Sequence, residues 1–76
     1  MAKEEMMERD LQVFCDERKH NLKKYEFGFK IFFYARKASQ LDVQILLDFA
    51  QQYNWLFFIT AKYNGTIYAQ LYKPSY

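Results

Sequence analysis

The sequence predicts an α+β domain with elements in the order α-β-α-β-β. Its three strands form an antiparallel sheet, one helix packs on a face of that sheet, and a further helix stands at the N-terminus. Three observations carry this expectation. The composition changes once, near residue 24, from charged to aromatic. Residues 40–53 repeat apolar side chains at helical spacing. Tyr63-Asn64-Gly65 separates two runs that read as strands. Seventy-six residues make one domain, spanning 1–76, with a charged N-terminal helix in 1–24 and a β-α-β-β unit in 25–76.

Residues 3–20 read as the first helix. Met7, Leu11 and Phe14 form an apolar stripe, with Leu22 in line if the helix continues. Glu4, Glu5 and Glu8 near its start and Arg18, Lys19 and His20 near its end suit the helix dipole, and His20-Asn21 would stop it. The rival reading, a strand at residues 11–15, alternates poorly. Residues 25–35 read as one strand, with Tyr25, Phe27, Phe29, Ile31, Phe33 and Ala35 on the core face. Ser39 caps the helix over 40–53, and Asp42 completes a short capping box. The apolar residues of this helix cover more than half its circumference, so it is expected to touch more than the sheet. Asn54 marks its exit.

Residues 55–62 and 66–73 read as a hairpin. A two-residue Asn-Gly turn would pair Tyr63 with Thr66. A three-residue loop with Gly65 in a left-handed bulge would pair Lys62 with Thr66. The second register puts Phe57, Ile59 and Ala61 on one face with Ile67, Ala69 and Leu71, and is preferred for that reason.

That register collects Lys30, Phe32, Tyr34 and Arg36 on the opposite face. Leu56, Phe58, Thr60 and Lys62 join them, with Thr66, Tyr68, Gln70 and Tyr72. The bland expectation is that the first helix covers these rings. Otherwise the face meets a protein partner or a second copy of the chain, since Tyr, Phe and Arg are enriched at interface centres. A third use is a stacking platform for single-stranded nucleic acid. Phe27-Gly28-Phe29-Lys30-Ile31-Phe32 partly resembles the RNP1 run of the RNA-recognition motif. However, Tyr25 and Glu26 stand at the basic and glycine positions, and Lys30 replaces the buried valine. No family is assigned on that basis.

Charge is a weak guide. Residues 1–24 hold six basic and six acidic side chains, and residues 25–76 hold five and three, for a net charge of +2. Dedicated nucleic-acid binders are usually more basic. The charged N-terminus has no apolar run behind it, and no stretch has the length of a membrane span, so the expectation is a cytoplasmic chain without membrane contact. The single cysteine, Cys15, fits a reducing compartment and reads as a small apolar residue.

Catalysis is not expected. Cys15 and His20 lie roughly 140° apart on a helix and do not form a nucleophile–base pair. Asp16 and His20 read as a surface ion pair, and no second cluster completes a metal site. Asp42 and Asp48 do not converge for acid–base work. No cofactor, metal or small-molecule substrate is expected.

The sequence therefore points to non-catalytic docking on a macromolecule, preferably protein, through Lys30, Phe32, Tyr34, Arg36, Phe58, Lys62, Tyr68 and Tyr72. Small aromatic- and lysine-rich chains of this kind occur among phage and mobile-element accessory proteins. Some of those are stoichiometric inhibitors, anti-CRISPR proteins among them, and the mechanism expected by that analogy is steric.

Overall fold

Two helices lie on the same face of a four-stranded antiparallel sheet, and the other face carries neither. The computed structural model describes residues 3–74, without the side chains of residues 3, 4 and 36. Helix α1 spans Lys3–Arg18, strands β1 and β2 span Asn21–Tyr25 and Gly28–Phe32, and a 3-10 turn follows at Tyr34–Arg36. Helix α2 spans Gln40–Tyr53, and strands β3 and β4 span Leu56–Ala61 and Ile67–Tyr72. The sheet order is β1-β2-β4-β3.

The element order is therefore α-β-β-α-β-β, and the expected three-stranded sheet gains a fourth strand. The added strand, β1, lies almost wholly in residues expected to belong to the N-terminal helical segment, and the strand expected at 25–35 is shortened to Gly28–Phe32 by a turn at Glu26-Phe27, with Tyr25 paired to Gly28. That turn uses no positive φ, so it needs neither the Asn nor the Gly that marks a primed hairpin turn. Two members of the expected core face move as a result. Tyr25 is half-exposed and Phe27, in the turn, is two-thirds exposed. Ala35 leaves the sheet altogether, in a left-handed conformation (φ 56°) within the 3-10 turn. Gly28 is dictated by space, because a Cβ there would lie 1.9 Å from the Leu71 carbonyl oxygen.

Both helices end the same way. Lys19 and Asn54 adopt left-handed conformations, φ 63° and 60°. The next residue's N–H reaches back to the last turn, from His20 to the Cys15 carbonyl and from Trp55 to the Ala50 carbonyl, each at 2.8 Å. These are Schellman closures, and they turn His20 and Trp55 inward. At the start of α2 the Ser39 Oγ accepts the Asp42 N–H at 3.0 Å. The Asp42 carboxylate does not complete the expected capping box; it accepts from Arg18 and His20 instead.

The hairpin takes the preferred register. Lys62 N–H donates to the Thr66 carbonyl at 2.8 Å, Gly65 sits at φ 90°, and Ile59 pairs with Ala69. One apolar cluster fills the space under the sheet. It joins Met7, Leu11, Phe14 and Cys15 of α1 to Phe29, Ile31, Ala69 and Leu71 of the sheet and Leu46 and Ala50 of α2. Leu22 packs against this cluster from β1 rather than from a longer α1.

Candidate functional site

The bare face is built by strand alternation. Since Phe29, Ile31, Ala69 and Leu71 point at the helices, their strand neighbours point away. Pairing sets them in three rows across the sheet: Tyr25, Gly28, Tyr72 and Leu56; then Lys23, Lys30, Gln70 and Phe58; then Asn21, Phe32, Tyr68 and Thr60. None of these is a carboxylate. The expectation that α1 covers this face is overturned, because the α1 stripe is spent on the core beneath the sheet.

Lysine and ring alternate on the surface. Lys30 Nζ lies 5.2 Å from the ring centres of both Tyr25 and Tyr68. Lys62 Nζ approaches Tyr68 at 5.5 Å, and Lys23 Nζ approaches Phe32 at 5.7 Å. Phe32 tilts against Tyr68 at 5.4 Å, and Phe58 against Tyr72 at 5.9 Å. Gln70 donates to the Tyr72 hydroxyl at 2.5 Å. Lys23 and Lys30 are direct cross-strand partners. Like charges in that relation oppose folding, and the adjoining ring faces offset part of the cost.

Of the residues expected at the site, Lys30, Phe32, Phe58, Tyr68 and Tyr72 share this face and Lys62 reaches it from the end of β3. Tyr68 is only 8% exposed, so it supports the surface more than it displays itself. Tyr34 lies off the sheet in the 3-10 turn, 60% exposed. Arg36 is in the same turn, and its side chain lies outside the described residues. Lys23 and Tyr25 were missed with β1. The period-two placement of Leu22 inward, between Asn21 and Lys23, is the faint signal that marks that strand.

A separate polar cluster lies in the core. The His20 Nδ1 accepts the Tyr34 N–H at 2.9 Å, so the ring proton is on Nε2, which donates to Asp42 at 2.8 Å. Arg18 donates to the other Asp42 oxygen. This corrects the expected surface pair of Asp16 and His20: His20 is buried, and Asp16 accepts from Gln12 at 2.8 Å. Both ring nitrogens therefore have partners within the fold. Burial, with help from the Asp16 charge, pushes the Cys15 thiol up to about 12, far from the reactive thiolate range.

A surface cleft of about 270 Å³ lies between α1, the β1–β2 turn and Trp55. Its charges oppose one another, with Lys24 held 3.1 Å from Glu8. Among the described residues, no group of three or more metal-ligating side chains converges and no helix is long and apolar enough to cross a membrane. Comparison with protein-family models, characterised proteins and solved structures gives no match.

Proposed function

We propose that this chain is a non-catalytic docking module that binds an acidic protein surface through its uncovered sheet face. The observation that carries this reading is the composition of the face: lysines interleaved with rings, no carboxylate, and neither helix above it. Lys23, Lys30 and Lys62 supply the charge that a carboxylate-bearing partner would complement. Leu56 and Phe58, each about half exposed, supply an apolar anchor on the β3 side. The mode of action is steric occlusion of the partner's site, as a stoichiometric inhibitor of the phage or mobile-element kind would act.

A nucleic-acid platform is the weaker reading. Base stacking needs free ring faces. Here the faces of Tyr25, Phe32 and Tyr68 carry lysine ammonium groups. The test is affinity capture from the native host with the tagged chain, with Lys23→Glu/Lys30→Glu, and with a control Glu17→Lys on α1. The reading expects a captured protein that the double variant loses, the control keeps, and added salt releases. Capture indifferent to the double variant would overturn it. So would tight, salt-sensitive binding of an oligothymidine in the absence of any captured protein.

A further inference from the structure

The outer edge of β3 is a pairing site, and we infer that its occupant is a second copy of this chain, joined antiparallel about Ile59. The two edges of the sheet are unlike. Lys62 donates to Thr66 and Phe33 to the Ile67 carbonyl. Antiparallel alternation from these two bonds turns Leu56, Phe58 and Thr60 toward β4 and leaves the main-chain groups of Phe57, Ile59 and Ala61 facing outward. The same alternation leaves only Leu22 and Lys24 facing outward on β1. There the Lys24 side chain is tied to Glu8 of α1, and Lys23 adds a second charge. Thus β1 is a blunted edge.

Strand β3, LFFITA, has no charge and no proline, two of the devices that protect an edge from pairing. It also exposes large apolar side chains on both faces, Leu56 and Phe58 on one and Ile59 on the other. Self-pairing about Ile59 sets Phe57 opposite Ala61 and Phe58 opposite Thr60, so large side chains meet small ones. It sets no charge against its own copy, as β1 self-pairing would do with its lysines. Each of Phe57, Ile59 and Ala61 then exchanges both main-chain bonds with the other copy. The docking face stays open and continues across the dimer. A six-residue edge is small beside a standard interface of about 1,600 Å², so the dimer is a weak one whose population depends on concentration.

Light scattering across a dilution series, from about 200 µM downward, tests this. The expected result is a monomer–dimer equilibrium that Ile59→Lys shifts to monomer. Cross-linking reads the register independently of that variant's folding. Cys15 is buried and unreactive, so an introduced cysteine is the only reactive thiol. With a short bismaleimide, Ile59→Cys should give covalent dimer. Lys62→Cys should not, because its two copies would stand roughly 20 Å apart. A chain that remains monomeric at the highest concentration overturns the proposal. So does a dimer that Lys62→Cys links as well as Ile59→Cys.

Discussion

Asp42 ties together three segments that are distant in sequence. Its carboxylate accepts from Arg18 at the end of α1 and from His20 just beyond it, and His20 accepts the Tyr34 N–H. Asp42→Ala removes the acceptor of a buried imidazole and leaves Arg18 unpaired. It should cost about 3 kcal/mol in urea denaturation; a loss below about 1 kcal/mol would mean the cluster is incidental. None of this was legible in the sequence, because Asp42 sits at a capping position whose local partner explained it fully. Cys15 makes a different prediction. Its folded value, about 12, exceeds its ordinary 9.0, so burial of the neutral thiol stabilises the fold fully below pH 9. That contribution is lost as pH rises toward about 12. Between these limits the wild-type chain should therefore lose stability more steeply than Cys15→Ala, as read by denaturant midpoints at pH 9, 10 and 11. Parallel slopes would contradict it. Tyr68, although expected at the binding surface, is buried by its neighbours, so Tyr68→Ala should lower the melting point rather than act on binding alone.

Elements differ in how openly the sequence declares them. Helix α2 and the β3–β4 hairpin were readable to within a residue or two, because Ser39, Asn54 and Gly65 each impose a boundary through a specific backbone need. The β1–β2 hairpin was not. Its turn uses ordinary negative φ values, and β1 offers only Leu22 as a partly buried apolar residue. Missing it changed the topology, since β2 then pairs with β1 on one side and β4 on the other. The helix ends supply a direct test. Lys19 holds a left-handed conformation that costs a side-chain-bearing residue roughly 1 kcal/mol relative to glycine. Lys19→Gly should therefore raise the unfolding free energy by about that amount without altering α1. An unchanged or lowered value would mean that the exposed lysine makes a compensating contact.

At the scale of the whole molecule, the economy of apolar surface decides what is left for function. Sixteen aromatic residues, the one Trp with seven Tyr and eight Phe, exceed what one sheet face can hide in a chain of this size, where only about 60–65% of the surface is buried on folding. Both helices shelter the same side, so the surplus rings stand on the other among lysines. The expectation of an aromatic-basic face was legible from strand alternation alone. That α1 would not cover it was not, because a helix stripe of Met7, Leu11 and Phe14 fits either side equally well. If the face is a docking surface rather than part of the core, Lys30→Glu and Phe58→Ser should leave the melting temperature within about 3 °C of wild type. The most direct measurement is NMR chemical-shift mapping of the isotope-labelled chain against the protein it captures. Perturbations are expected to concentrate at Lys23, Tyr25, Lys30, Phe58 and Gln70. Perturbations confined to the solvent side of α1 and α2 would contradict the docking surface.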